Sequence, residues 1–263
     1  MDHVKKNPQV DVTDDVFLGG RLALLQPRQG YRAGLDAVLL ASAVPLDDGA
    51  MARVIDAGAG VGTVGLCVAR RFPNVTVALI EREPELVALA AANIERNGLA
   101  QRVRALAGDL SLGGGLAHGQ HGLSEIAPGS IDHALANPPY RLVGSGTPGD
   151  GTKAGSHQLA AGDLERWIAY IATVTRTGGS LTLIHETSAL GDILAALDGR
   201  YGAIDVKPVH PRPSEPAIRV LVQCRKGSRR PLRLLPALVL HNDGPGFTPE
   251  VEAILRTGAA LQL

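Results

Sequence analysis

The tetrad Asn137-Pro138-Pro139-Tyr140 contains the side chains of this 263-residue chain best suited to act on another molecule. The Asn137 amide oxygen and the Pro138 carbonyl are hydrogen-bond acceptors, and the two prolines restrict the backbone so that both acceptors stay aimed at one point. A planar nitrogen, such as an exocyclic amine or a carboxamide, can donate its two hydrogens to them. These bonds draw electron density onto the nitrogen and orient its lone pair. Because Tyr140 can stack on a flat ring, the candidate catalytic residues are Asn137, Pro138 and Tyr140.

A glycine-rich turn follows a short apolar strand earlier in the chain. The strand ends in Asp56, and Gly58, Gly60 and Gly62 follow at alternate positions before a helical pattern over residues 63–71. Glycine lets the backbone turn sharply and approach a ligand, and the helix N-terminus offers unpaired N–H groups. This pattern is typical of a nucleotide-type cofactor site in an open α/β sheet. The dinucleotide fingerprint G-x-G-x-x-G would require a further glycine where this chain has threonine.

Acidic side chains end two further predicted strands. Glu81 closes the strand after the glycine-turn helix, and Asp109 follows the next strand after one glycine. A carboxylate at the Glu81 position can accept both hydroxyls of a ribose. Because ligands bind at the carboxyl ends of strands in open α/β sheets, we expect both acids to border the same site as Asn137.

Strands and helices alternate along the chain, which predicts an α/β fold with a doubly wound, mostly parallel sheet and an antiparallel edge strand. Residues 1–29 are predicted to be an N-terminal arm with a possible hairpin. Residues 30–263 are predicted to form a single domain with a basic part at 200–233. Late strands are expected at residues 204–209 and 218–224, a last one at 234–241, and a terminal helix at 249–255.

Charge is balanced overall but clustered locally. The formal net charge is zero, so no overall field attracts a polyanion and any binding patch must be local. Residues 200–233 contain nine Lys and Arg against two Asp and Glu. Such clustering suits the phosphate backbone of a nucleic acid. The candidate contacts are Arg212, Arg219, Arg225, Lys226, Arg229 and Arg230.

The sequence gives no support for a membrane, secreted or metal-dependent protein. No run of 18 apolar residues occurs, which is the length that marks a membrane-spanning helix. Residues 1–15 lack the apolar segment of a secretory signal. His118 and His121 lie in a glycine-rich stretch and are too few for a metal site. We therefore expect a cytoplasmic protein without a bound metal.

The pattern D-x-G-x-G-x-G that begins at Asp56 resembles motif I of the class I S-adenosylmethionine-dependent methyltransferases. The resemblance implies S-adenosylmethionine as cofactor, with Asp56 near the ammonium of its methionine end, Glu81 on its ribose and Asp109 on its adenine amine. The segment around Asp36 resembles one that adenine methyltransferases place against the methionine moiety. The cofactor contacts implied in this way are Asp36, Asp56, Gly58, Gly60, Gly62, Glu81, Asp109 and Asn137.

A narrower resemblance combines the Asp36 segment, the glycine turn, the tetrad and the basic region. Together they look like the bacterial tRNA(Val) adenine-N6 methyltransferases, which modify the adenine beside the anticodon. The resemblance covers most of the chain from Phe17 onward and implies tRNA as substrate, with the target base taken out of its stack. Two departures are the insertion at 111–130 and Arg141, where an aromatic residue is expected. The second departure leaves base stacking to Tyr140 alone.

Several alternatives stay open on the sequence. A release-factor glutamine methyltransferase shares the tetrad but usually has a longer helical domain before motif I than the 55 residues here. A DNA adenine methyltransferase normally carries a target-recognition domain, and a small-molecule O-methyltransferase would gain nothing from Asn137. A non-enzymatic module of the same fold would leave both motifs idle.

The sequence therefore predicts an S-adenosylmethionine-dependent N-methyltransferase that acts on the exocyclic N6 of adenine in RNA, with tRNA as the implied partner. The glycine-rich residues 144–155 are long enough to act as a lid. Both a monomer and a homodimer are compatible with the sequence.

Overall fold

The computed structural model describes residues 11–30, 32–112, 123–139 and 162–263. In chain order, the strands are β1 (Val12–Phe17), β2 (Leu22–Pro27), β3 (Arg53–Ala57), β4 (Thr76–Glu81), β5 (Val103–Ala107), β6 (Ile131–Ala136), β7 (Thr175–Glu186), β8 (Tyr201–His210), β9 (Arg219–Lys226), β10 (Arg233–Leu234) and β11 (Leu238–Val239). The helices are α1 (Leu35–Ser42), α2 (Thr63–Arg71), α3 (Pro84–Arg96), α4 (Asp163–Val174), α5 (Leu190–Leu197) and α6 (Pro249–Thr257).

Nine of these strands form one sheet, in which neighbours follow the order β10, β8, β9, β7, β6, β3, β4, β5, and β11 also pairs with β8. Strand β9 runs antiparallel to both of its neighbours, whereas the other pairings in this sheet are parallel. The predicted doubly wound, mostly parallel sheet is therefore confirmed, and its antiparallel strand lies toward one edge. Strand order reverses around β3, which has β4 on one side and β6 on the other. Open α/β sheets bind their ligands at such a switch point.

Helices cover both faces of the sheet. One core contains the buried side chains of α1, α2, α3 and α6, and a second core contains those of α4 and α5. Along β3, Val54 points into the first core while Ile55 and Ala57 point into the second. A strand that is buried on both faces has apolar residues in succession, and this is why the central strands appear in the sequence as short apolar runs. Within the described ranges, no helix is long and apolar enough to cross a bilayer.

The hairpin β1–β2 is a separate two-stranded antiparallel sheet. Its turn includes Gly19, which has a φ of +64°, and a Cβ at that position would lie 2.8 Å from the carbonyl oxygen of Arg256 in α6. Leu22 and Leu24 of β2 are fully buried in the core that contains α2 and α3. The hairpin therefore packs into the same core as the main sheet.

The structure has two short strands where the sequence predicted a single strand at 234–241. Two short strands, β10 and β11, pair with β8 on either side of Pro236. Proline has no N–H to donate to a neighbouring strand, so it interrupts the pairing.

Helix α2 approaches the sheet closely at Gly65. A Cβ on Gly65 would lie 2.3 Å from Cδ2 of Leu79 and 2.9 Å from Cγ1 of Val77, both in β4. Side-chain atoms cannot come that close, so the distance between α2 and β4 depends on glycine here. This packing fixes the start of α2, and with it the end of the glycine turn.

We expect Gly65→Ala to lower the free energy of unfolding by about 1–3 kcal/mol, because the added methyl group must push α2 away from β4. Urea unfolding followed by circular dichroism measures the change. Gly191→Ala in α5 is the matched control, since a Cβ there meets no atom within 4 Å in the described part of the chain. That control should keep its stability or gain up to about 1 kcal/mol. Equal losses in both variants would contradict the close approach.

Candidate cofactor and acceptor site

The two motifs singled out in the sequence lie side by side at the carboxyl edge of the sheet. In the pairing of β3 with β6, Ala57 is the partner of Ala136. Gly58 and Asn137 are the next residues on these two neighbouring strands, whose axes in a sheet lie about 4.8 Å apart. The structure therefore brings together the glycine turn and the start of the tetrad. Tyr140 lies outside the described residues.

The glycine turn has a backbone that only glycine adopts readily. Gly58, Gly60 and Gly62 have φ angles of +72°, +56° and +91°. The N–H groups of Gly58 and Ala59 both donate to the carbonyl of Ile80, at 2.9 and 2.8 Å. The end of β4 thus anchors the turn, and α2 begins directly after it.

Trp167 of α4 lies against this turn, a contact that the sequence did not reveal. A Cβ on Gly58 would lie 2.3 Å from the Cη2 atom of the indole. Gly58 lies more than a hundred residues before Trp167 in the chain. Gly58 is therefore required for packing as well as for its φ angle.

Glu81 supports the turn from the end of β4. One carboxylate oxygen, Oε2, accepts the N–H of Gly60 at 2.9 Å, and the other accepts the N–H groups of Arg82 and Glu83 at 2.8 and 3.0 Å. A carboxylate offers about four acceptor positions. Glu81 can therefore bind a further donor without giving up these contacts.

Asp56, next to the last residue of β3, is buried against the start of α2. Its carboxylate is only 1% exposed and accepts the N–H of Gly65, inside the first turn of α2, at 2.8 Å. Burial raises its pKa to about 7, the Gly65 bond opposes this shift, and the nearby charge of Glu81 adds to it. The side chain lies behind the turn and fixes the start of α2. A direct contact with the ammonium of a cofactor therefore finds no support here.

Two other predicted cofactor contacts lie at the same edge. Asp109 follows β5, and its Oδ1 accepts the backbone N–H and the hydroxyl of Ser111 at 2.8 and 2.6 Å. Asp36, in the first turn of α1, forms an ion pair with Arg219 at the start of β9, at 2.9 Å. Each side chain of this pair is about one quarter exposed. The ion pair therefore links the start of α1 to the carboxyl edge of the sheet.

The tetrad begins beyond the last residue of β6. Asn137 and Pro139 are half-buried, and Pro138 is buried. Arg141 and the lid predicted at 144–155 lie outside the described residues, as do residues 113–122 of the insertion at 111–130 and the two histidines in it. The later part of that insertion packs against the sheet, because a Cβ on Gly108 would lie 2.6 Å from Cδ2 of Leu123.

Strand β9 divides the six predicted phosphate contacts into two groups. Arg219 starts this strand and Arg212 follows β8, so both lie at the carboxyl edge. The remaining four lie at the opposite, amino edge, about 23 Å away by the rise of seven strand residues. These four are Arg225, Lys226, Arg229 and Arg230. A sequence segment that reads as one basic cluster is therefore split between two ends of the molecule.

Several of these basic side chains are also bonded to the protein. Lys226 donates to the carbonyls of Ala172 and Thr175 at 2.5 and 2.8 Å, and Arg212 donates to the carbonyls of Asn242 and Gly244. The Lys226 bonds join β9 to α4 and to the start of β7, and the Arg212 bonds join the segment after β8 to the one after β11. Arg225, Arg229 and Arg230 are the exposed members of the group.

His185, near the end of β7, is a further polar residue that the sequence did not identify. It is 4% exposed, and its Nδ1 accepts the N–H of Glu186 at 2.9 Å, which places the ring proton on Nε2. Burial lowers its pKa to about 4, so the ring is neutral at neutral pH. By the pairing of Ala136 with Leu183, His185 lies level with Pro138 on the adjacent strand.

The turn fits a nucleotide-type ligand on its own geometry. A Cβ on Gly60 would meet no atom of the described residues within 4 Å, so these residues leave open space beside it. The hydroxyl of Thr63, the first residue of α2, is buried and has no hydrogen-bond partner within the described part of the chain. A turn with open space, an anchored carboxylate and the N-terminus of α2 can hold such a ligand. Over the same described ranges, no group of three or more His, Cys, Asp or Glu is placed to hold a metal ion.

Fold and site together thus define an α/β protein with a glycine turn suited to a nucleotide-type cofactor beside the loop that begins at Asn137, and comparisons with known proteins agree. Residues 34–147 match the family described as methyltransferase small domain. The solved structure of a predicted O-methyltransferase from Agrobacterium tumefaciens is 32% identical, with a TM-score of 0.72, over 87% of this chain and 99% of that one. P. horikoshii TYW2 in complex with MeSAdo shares the fold at 14% identity and a TM-score of 0.51, over 84% of this chain and 73% of that one.

Curated relatives match a smaller part of the chain. A release factor glutamine methyltransferase from Gloeobacter violaceus is 31% identical over 58% of this chain and 53% of its own length. A tRNA1(Val) (adenine(37)-N6)-methyltransferase from Yersinia pestis is 32% identical over 43% of this chain and 41% of its own length. The chain therefore spans about half the length, or less, of these relatives.

The chain belongs to the class I S-adenosylmethionine-dependent methyltransferases. The prediction of S-adenosylmethionine as cofactor is thereby confirmed.

We expect Asp56→Asn to change how stability depends on pH. The pKa of this carboxyl is raised from 3.8 to about 7 in the folded protein, so its contribution to stability is present below pH 3.8 and is lost as the pH rises through about 7. An asparagine amide oxygen can accept the Gly65 bond without titrating. Urea unfolding at about pH 5 and pH 8 should show the variant gaining stability relative to wild type at the higher pH. A difference that is the same at both pH values would contradict the buried position.

Proposed function

We propose that this protein transfers a methyl group from S-adenosylmethionine to the exocyclic N6 of adenine in RNA, and that tRNA is the RNA on which it acts. The observation that carries the proposal is the pairing of Ala57 with Ala136. Because of this pairing, the glycine turn and the Asn137 loop begin side by side at the ends of adjacent strands. A cofactor on the turn and a nitrogen bound at Asn137 would meet at one edge of the sheet. Holding the two reactants close together and oriented toward each other lowers the activation free energy of the transfer.

S-adenosylmethionine, when bound, supplies an electrophilic methyl group on a sulfonium sulfur. Glu81 already orients the turn through Gly60 and keeps one acceptor position for a ribose hydroxyl. Asp56 acts indirectly, by fixing the start of α2 through Gly65. The residues that we propose to contact the cofactor are Asp36, Gly58, Gly60, Gly62, Glu81, Asp109 and Asn137.

Asn137 and Pro138 are proposed to bind and activate the acceptor nitrogen. An exocyclic amine is a poor nucleophile because its lone pair is delocalised into the ring. The Asn137 amide oxygen and the Pro138 carbonyl would accept its two hydrogens, which localises the lone pair and directs it toward the methyl group. The proton leaves after transfer, when the methylated nitrogen has become acidic. Tyr140, outside the described residues, is proposed to stack on the base.

Protein glutamine is the second candidate acceptor. A glutamine amide has the same planar NH2 group, and the relative named as a release factor glutamine methyltransferase is 31% identical over 165 residues. The relative named as a tRNA1(Val) adenine-N6 methyltransferase is 32% identical over 114 residues. We favour RNA because exposed arginines form a basic surface, which fits a phosphate backbone better than a peptide loop.

This basic surface consists of Arg225, Arg229 and Arg230 at the amino edge of the sheet. Arg225 donates to the carbonyl of Gly178 at 3.0 Å, and Arg230 lies 4.0 Å from the carboxylate of Asp205. Since the surface lies at the edge opposite Asn137, it would contact a part of the RNA distant from the target base. A folded RNA such as tRNA is large enough to reach both edges.

We expect Asn137→Ala to reduce kcat on unmodified tRNA by about a hundredfold or more, because one of the two acceptors for the target amine is lost. The dissociation constant for S-adenosylmethionine, measured by calorimetry, should rise by less than about tenfold, because Asn137 is one of seven proposed cofactor contacts and the glycine turn and Glu81 are unchanged. A loss of cofactor binding that parallels the loss of turnover would mean that Asn137 has a structural role, and would contradict its role in acceptor activation.

We expect the double charge reversal Arg225→Glu and Arg229→Glu to weaken tRNA binding and to reduce its dependence on salt by about two phosphate contacts. Binding titrations at several salt concentrations measure both effects. The matched control reverses Arg28 and Arg256, two exposed arginines elsewhere, and changes the net charge by the same amount. If the control weakens binding equally, only the net charge matters and the amino-edge surface is not an RNA contact.

A further inference from the structure

Asn93 of α3 is a fully buried polar residue to which the sequence patterns assigned no role. Its side chain is 0% exposed and makes three hydrogen bonds. The amide oxygen accepts the N–H of Leu25 at 2.7 Å, and the amide nitrogen donates to the carbonyls of Leu25 and Val61, each at 3.0 Å. Both amide hydrogens are therefore used. A buried amide whose polar atoms are all hydrogen-bonded holds its partner groups in one fixed arrangement.

The contacts to Leu25 join α3 to the hairpin. Asn97, four residues after Asn93 and directly after the last residue of α3, accepts the N–H of Ala23 at 3.1 Å and donates to its carbonyl at 2.8 Å. Four helical residues rise about 6.0 Å and two strand residues about 6.6 Å, so the two amides match alternate residues of β2. The asparagines thus pair with the edge of β2 as a neighbouring strand would.

The contact to Val61 distinguishes Asn93 from Asn97. Val61 lies between Gly60 and Gly62, so the Asn93 amide fixes the peptide plane in the middle of the cofactor turn. From the other side, Glu81 accepts the N–H of Gly60 at 2.9 Å. Two side chains, one from α3 and one from β4, therefore fix two peptide groups of the same turn, Ala59–Gly60 and Val61–Gly62.

The hairpin also contacts the segment before α1. Gln26 of β2, which is buried, accepts the N–H of Ala33 at 2.8 Å and donates to its carbonyl at 3.3 Å. Asp36 lies three residues after Ala33. Strand β2 is therefore bonded both to α3 beside the glycine turn and to the start of α1.

We propose that Asn93 is a positioning residue for the cofactor turn: its bond to the Val61 carbonyl keeps the glycine turn in its binding geometry and couples the turn to the hairpin. The role concerns cofactor affinity and holds whichever acceptor the enzyme uses. Without this bond, Val61 would have a buried carbonyl to satisfy elsewhere, and the glycines on either side could rotate at little cost. Part of the binding free energy of the cofactor would then be used to order the turn, and the affinity for the cofactor would fall.

The test compares Asn93→Ala with Asn97→Ala in the full-length protein. Each variant loses two bonds to the hairpin and one other: Asn93→Ala loses the bond to the turn, and Asn97→Ala loses its bond to the Asn93 carbonyl. The dissociation constant for S-adenosylmethionine is measured by the fluorescence of Trp167, the chain's one tryptophan, and by calorimetry with S-adenosylhomocysteine. Urea unfolding is measured on the same samples. If Asn93→Ala does not fold, Asn93→Ser keeps a hydroxyl near the three partners and replaces it.

The proposal predicts a rise of about tenfold in the dissociation constant of the Asn93 variant, and a change of less than about twofold for Asn97→Ala, at comparable unfolding midpoints. At saturating cofactor, kcat and the KM for the acceptor should return to wild-type values. Equal effects of the two variants on cofactor binding, or no effect of either, would overturn the proposal. Because cofactor binding needs no acceptor, this result is independent of whether the RNA substrate is correct.

Discussion

The glycine turn between β3 and α2 must reverse the chain direction within five residues while its peptide groups stay hydrogen-bonded. Groups from the neighbouring elements supply the partners for these hydrogen bonds. The carbonyl of Ile80 accepts two N–H groups of the turn. Glu81 accepts a third, and Asn93 bonds to a carbonyl of the turn. Asp56 fixes the start of the helix that follows. The glycines permit the turn, but these neighbouring groups select one conformation among the many that glycine allows.

The acceptor side of the site depends on this turn through the order of the strands. Because β6 pairs directly with β3, the loop that begins at Asn137 is next to the glycine turn, and β7 brings His185 level with Pro138. The Asp36–Arg219 ion pair closes the same edge from α1 and β9. The basic amino edge lies at the far end of the strands. The sheet therefore separates the proposed chemistry from the proposed contact with the RNA backbone.

Sequence patterns predicted the parts of this structure that depend on neighbours along the chain. Apolar runs located the strands, and Asp56, Glu81 and Asn137 lie at or just beyond the ends of their strands, as expected. The contacts that fix the turn were not predictable, since Asn93 is 32 residues from Val61 and 68 from Leu25. A polar residue on the inward face of α3 was the available signal. The division of the basic residues followed from the antiparallel direction of β9, which charge counts cannot reveal.

The most direct test of the proposed function is transfer of a labelled methyl group from S-adenosylmethionine to unmodified total bacterial tRNA, followed by digestion and mass analysis of the nucleosides. A bacterial release factor is offered as acceptor in a parallel reaction. The account predicts label in N6-methyladenosine and none in the protein. Label in a glutamine of the release factor, with none in RNA, would contradict it and assign the Asn137 loop to a carboxamide.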